Sequence, residues 1–179
     1  FTNEPKTLLW IYETLVSLYV ETEEYEKAIE YSNRLLDSQC PDKFKVRNDI
    51  ALFNLKLNNF QTGITILEDL VMMSQNGYEV TVELADAYIQ CKEYQKALDK
   101  YLALLDRATQ KEAKSVRLLI CELYIKWAVD MAAEKNYDKA FEYLDTAAQY
   151  DALNPEVYYN LALNQMVLKN YTNAVECLH

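Results

Sequence analysis

Apolar positions recur at i, i+3, i+4 and i+7 through most of the chain, the spacing that turns one face of an α-helix toward a core. A longer period lies over the short one. An aromatic residue is followed three positions later by a small residue and then an apolar one in Tyr25-Glu26-Lys27-Ala28-Ile29, Phe60-Gln61-Thr62-Gly63-Ile64, Tyr94-Gln95-Lys96-Ala97-Leu98, Tyr137-Asp138-Lys139-Ala140-Phe141 and Tyr171-Thr172-Asn173-Ala174-Val175. The small residues stand 35, 34, 43 and 34 positions apart. Twelve residues before each comes a second apolar pair: Leu15-Val16, Ile50-Ala51, Leu84-Ala85, Trp127-Ala128 and Leu161-Ala162. A period of this length predicts a helical hairpin per unit.

The boundaries fall in register with that period. Glu23-Glu24, Asn58-Asn59, Lys92-Glu93, Asn136 and Asn170 read as the turns within hairpins, Asn being tolerant of the left-handed conformation. Cys40-Pro41, Asn76-Gly77, a Thr109/Glu112 capping box and an Asn154-Pro155 helix start read as the breaks between them. The small residues let two helix axes approach closely while Tyr and Phe fill the gaps beside them. Tyr19, Tyr25, Tyr88, Tyr94, Tyr137 and Tyr171 are accordingly expected in the packing, with hydroxyls at its rim. The 43-residue interval predicts one lengthened helix from Gln110 to about Lys135, with Val116, Leu119, Ile120, Leu123 and Trp127 as its apolar stripe.

Composition narrows the chemistry. With 2 Gly and 3 Pro in 179 residues, turn-rich β folds, phosphate-cradling loops and nucleophile elbows are disfavoured. A net charge of −10 argues against nucleic acid, whose binding draws on basic side chains. Cys40, Cys91, Cys121 and Cys177 form no CxxC pair, and His179 is the sole histidine, so no metal site and no cofactor are expected. Four buried thiols in a reducing, cytoplasmic compartment are the plain reading. No run of apolar residues is long enough to insert into a membrane. The start at Phe1 and the stop about two turns into a final helix predict a parent chain that continues, or a second subunit that covers Leu161, Leu168 and Leu178 by self-association.

On these residues the chain resembles the tetratricopeptide repeat family, about five motifs over nearly its whole length. Tyr158, Leu161, Ala162, Ala174 and Leu178 carry the pattern in the fifth unit, and Leu84, Ala85, Tyr88, Ala97 and Tyr101 in the third. Val16, Ser32, Arg47 and Thr81 depart from it. The resemblance implies an all-α fold, a right-handed α-solenoid of stacked antiparallel helical hairpins. The chain would be a single array, 1–179, with units at about 5–41, 42–77, 78–109, 110–153 and an incomplete 154–179.

The resemblance also implies a concave surface made by the first helix of each unit, which holds a peptide or helix of a protein partner. Carried onto this chain, it presents Glu13, Ser17 and Glu21, then Asp49, Leu52 and Lys56, then Glu79, Glu83 and Asp86. The last two units add Ile125, Lys126, Val129, Tyr159, Asn160, Leu163 and Met166. One end is acidic and the other largely apolar. The family's chaperone-tail branch clamps a terminal carboxylate with Lys, Asn and Arg, where this chain has Glu13, Ser17, Asp49, Glu79 and Glu83; shifting the frame recovers Lys126 and no complete clamp. A basic or amphipathic partner segment suits the face better. No catalytic residues are expected, because the one His is terminal and pairs such as Glu23-Glu24 lie on solvated turns. The alternatives to a binding scaffold are a structural, self-assembling module and a regulatory region of a larger protein whose catalytic domain lies elsewhere.

Overall fold

The computed structural model describes residues 4–74, 77–170 and 173–174. Among these there is no strand, and the elements are α1 (Glu4–Glu21), α2 (Tyr25–Asp37), α3 (Lys43–Lys56), α4 (Phe60–Met73), α5 (Tyr78–Gln90), α6 (Tyr94–Arg107), α7 (Gln110–Ala133), α8 (Tyr137–Tyr150) and α9 (Pro155–Val167). Asn76, Tyr171, Val175, Cys177, Leu178 and His179, which the repeat reading also uses, lie outside the described residues. The chain forms two compact units, Phe1–Cys91 and Lys92–His179.

In the first unit consecutive helices pack on one another from α1 to α5. Close approach explains the small residues. Ala28, Ala51 and Ala85 are fully buried. A Cβ placed on Gly63 of α4 would lie 2.7 Å from Leu55 Cδ2 and 3.0 Å from the Ala51 carbonyl oxygen, both on α3. Leu35, Cys40, Val46 and Ile50 form a core cluster, against which Tyr12, Val16 and Ile29 pack. Tyr88 is buried and its hydroxyl donates to Glu68, the rim arrangement expected of these tyrosines.

The turns correct one expectation. Each helical hairpin turn places one residue in the left-handed region, and only Asn58 (φ 60°) is an asparagine; the others are Glu23, Lys92, Lys135 and Lys169. Asn136 instead caps α8, its side chain accepting from the Lys139 N–H. The backbone explains why charged residues are held there: the Glu24, Asn59, Asn136 and Asn170 N–H groups reach back to the carbonyls of Tyr19, Asn54, Met131 and Gln165. Those bonds satisfy helix-end carbonyls only if the preceding residue turns left-handed.

In the second unit α7 spans 24 residues and packs on α6, α8 and α9. Its start is the expected capping box, with Thr109 and Glu112 each bonding the other's backbone N–H. Asn154 caps α9 by accepting from the Glu156 N–H, and Pro155 follows as the first helical residue. Val116, Ile120 and Leu123 are fully buried, Leu119 and Trp127 half-buried. The core joins Cys121, Ile125, Ala128, Ala140, Leu144, Ala147, Val157 and Leu161. Trp127 stacks on Tyr143 at 4.4 Å and on Tyr94 at 5.4 Å between ring centres. Cys40 and Cys121 are buried as expected, whereas Cys91, at the end of α5, is half-buried. Burial pushes the Cys121 thiol up to about 11, which keeps it protonated and structural.

Candidate functional site

The first unit gathers part of the expected face around a cavity of about 460 Å³ between α1 and α3. Glu13 and Ser17, one turn apart on α1, line it with Asp49 of α3. Asp42 and Lys45 line it too, and their position follows from the start of α3, where the Asp42 side chain caps the helix by accepting from the Lys45 N–H at 2.9 Å. Cys40 and Val46 lie among the lining residues as part of the core cluster.

Electrostatics extend this face onto α5. Burial raises the Asp49 carboxyl above its ordinary value; Lys45 opposes that shift and Asp42 adds to it. Burial also raises Glu83, reinforced by the like charges of Glu79, Asp49 and Asp86, while the Asn48 amide pulls the other way. Three carboxylates from α3 and α5 therefore sit close enough to act on Glu83. Glu83 Oε2 and Asn48 Oδ1 are both shut away from solvent, and neither has a hydrogen-bond partner within 3.5 Å in suitable geometry. Unit one thus brings acidic side chains of α3 and α5 together around Glu83.

The second unit offers a different surface. A cavity of about 200 Å³ is lined by Val129 and Ala132 of α7, Tyr137, Ala140 and Leu144 of α8, and Asn160, Leu163, Asn164 and Val167 of α9. Its lining is apolar apart from the two asparagines. Asn164 is only 4 % exposed; its amide donates to the Tyr137 carbonyl at 2.9 Å and its Oδ1 has no partner.

The expected site residues separate as follows. Glu13, Ser17 and Asp49 meet at the first cavity, and Val129, Asn160 and Leu163 at the second. Glu79 and Asp86 are exposed on α5, with Glu83 half-buried between them. Glu21, Lys56, Lys126, Tyr159 and Met166 are exposed, Leu52 is half-buried, and none of these lines either cavity. Ile125 does not belong to the surface: it is 2 % exposed and part of the core, because α7 is covered by α6, α8 and α9. Lys45 and Asn164 stand one turn from Asp49 and Asn160, a spacing that points to them in the sequence, whereas Asn48 has no such signal. Among the described residues no group of three or more His, Cys, Asp or Glu could hold a metal ion, and no helix is long and apolar enough to cross a membrane.

Comparison with known proteins points the same way. A sequence profile of the tetratricopeptide repeat matches residues 11–39. No curated protein sequence matches the chain. Among solved structures, MamA from Desulfovibrio magneticus RS-1 (residues 41 to the end) is similar with a TM-score of 0.64 at 13 % identity, over 95 % of this chain and 90 % of that one. A tetratricopeptide repeat protein from Parabacteroides merdae ATCC 43184 gives 0.63 at 16 % identity, over 93 % and 63 %. YrrB, described as a TPR protein with an unusual peptide-binding site, gives 0.55 at 13 % identity, over 93 % and 80 %. At these identities the likeness shows the fold: all-α, built of helical hairpins.

Proposed function

We propose that this chain, a tetratricopeptide repeat protein by its fold and by the repeat at residues 11–39, is a protein-interaction scaffold. It holds a basic or amphipathic segment of a partner against the acidic face of its first unit. The observation that carries the reading is Glu83 Oε2, shut away from solvent without a hydrogen-bond partner and beside the like charges of Glu79, Asp49 and Asp86. A cationic side chain arriving there relieves that repulsion, so the energy the fold gives up in crowding acids returns on binding. The same charge rejects a terminal carboxylate. YrrB's peptide-binding site is a precedent for such use of the fold. The reading is binding and not catalysis, which the all-helical repeat fold supports.

Calorimetric titration of the full chain with an amphipathic Lys/Leu helical peptide and with its Glu/Leu counterpart tests the reading. The Lys/Leu peptide should bind and the Glu/Leu peptide should leave the acidic face untouched. No binding of the Lys/Leu peptide, or binding of it that Glu79→Lys with Glu83→Lys leaves unchanged, contradicts it.

A further inference from the structure

Positive charge is concentrated at one place that the acidic face does not use. Helix α7 is 24 residues long, against 13 to 18 for the other helices of the described residues. Its first turns are mostly solvated: Gln110, Lys111, Glu112, Lys114, Ser115, Arg117 and Leu118 are exposed, and Val116 alone is fully buried there. With Arg107 at the end of α6, four of the chain's 18 basic residues fall in 107–117, with Glu112 the one acid among them. Glu112 is turned back onto Thr109, bonding its N–H at 2.9 Å and its hydroxyl at 2.6 Å. Asp106 precedes the stretch and Glu122 follows one turn beyond Leu118. Among the described residues, none of Lys111, Lys114 and Arg117 is in an ion pair. The three cations span about 9 Å of helix, with Leu118, 40 % exposed, beside them.

Helix stability does not explain this arrangement. The first turn of a helix carries partial positive charge, which disfavours Lys111, and Lys114 and Arg117 lie beyond its reach without an ion-pair partner among the described residues. Val116 is the one fully buried side chain that these turns give to the core.

We propose that the lengthened start of α7 is a docking ledge for a short acidic segment of a partner protein, one that sets Asp or Glu against Lys111, Lys114 and Arg117 and an apolar side chain against Leu118. The charge distribution selects this partner. A chain of net charge −10 repels an extended polyanion such as nucleic acid or an anionic bilayer, and it repels a second copy of itself. Along residues 107–117 cations outnumber acids four to one, while Glu122, Asp151 and Glu156 gather one turn further on around Cys121, which suits an acidic segment only a few residues long. The proposal does not depend on the acidic face.

The test is fluorescence anisotropy of the full chain with a labelled helical peptide bearing Glu at i, i+4 spacing and one Leu, with its Glu-to-Gln version as control. The acidic peptide should bind, more weakly as salt rises, and the control at least about tenfold less well. The variant K111E/K114E/R117E should lose the binding while its Tm stays level, since the three exposed side chains are in no ion pair among the described residues. Lys111→Arg with Lys114→Arg should retain it. No binding of the acidic peptide, binding unaltered in the reversed chain, or loss accompanied by a lowered Tm overturns the proposal. So does ledge-dependent binding of phosphatidylserine vesicles or single-stranded RNA in place of the peptide, or a ledge-dependent rise in sedimentation mass, which assigns the ledge to a second copy.

Discussion

The Tyr94 hydroxyl at the start of α6 donates to Asp130 Oδ2 on α7 across 2.7 Å, and Lys92 Nζ meets the same oxygen at 2.8 Å. The two donors hold the Asp130 carboxyl below its ordinary value of 3.8, Lys92 contributing most, while burial and the anionic neighbour raise the Tyr94 hydroxyl. Tyr94 is buried, Lys92 largely exposed. Asp130→Ala strands the buried hydroxyl and is expected to cost about 2 kcal/mol, whereas Lys92→Ala costs under about 1 kcal/mol. Urea midpoints check both. A folded-state pKa below the unfolded one gives stability that is present above 3.8 and lost as pH falls through the lowered value. The gap between wild type and Asp130→Asn should therefore be full at pH 7 and shrink as pH falls below 3.8.

The acidic face has the opposite sign. Glu83 is raised above 4.5, so its contribution is most favourable below that value and declines as pH rises through the raised pKa. Glu83→Gln is expected to stabilise the chain at pH 7 by about 0.5–1 kcal/mol and to flatten the pH dependence of Tm in the weakly acidic range. The same substitution should weaken the Lys/Leu peptide, a trade of stability for binding.

Gly63 tests the closeness of α3 and α4. Alanine gains about 1 kcal/mol in helix propensity, but its Cβ would press on Leu55 and on the Ala51 carbonyl, which is backbone and does not yield. Gly63→Ala is expected to lower Tm despite the propensity gain, and Gly63→Val to cost about 1–3 kcal/mol. Ala97→Phe and Ala162→Trp, at positions fully or almost fully buried, should cost about as much. A rise in Tm for Gly63→Ala contradicts the packing described.

The left-handed turns give a stabilising change. Lys135 at φ 62° carries a Cβ where glycine carries none, so Lys135→Gly should raise stability by about 0.5–1 kcal/mol and Lys135→Val should lower it. Thermal melts of the pair distinguish the two directions.

How far the chain could be read in advance follows from the range of each interaction. Thr109 with Glu112 and Asn154 with Pro155 are local signals, resolved within one turn, and both stand in the structure as expected. Lys135 and Lys169 were passed over for the neighbouring asparagines, because their conformation is dictated by carbonyls five residues back and not by their own preference. Ile125 was set on the surface by analogy with the other first helices, yet α7 has three neighbours and buries a wider arc. The influence of Asn48 on Glu83 depends on the register of α3 against α5, which no local pattern carries.

The most direct measurement of the central claim is the affinity of the Lys/Leu peptide for the triple variant Glu79→Lys, Glu83→Lys, Asp86→Lys across a series of salt concentrations. Loss of binding and of its salt dependence, with the helical signal retained, is the predicted result. Unchanged affinity and an unchanged salt slope would contradict the claim that this face works by charge.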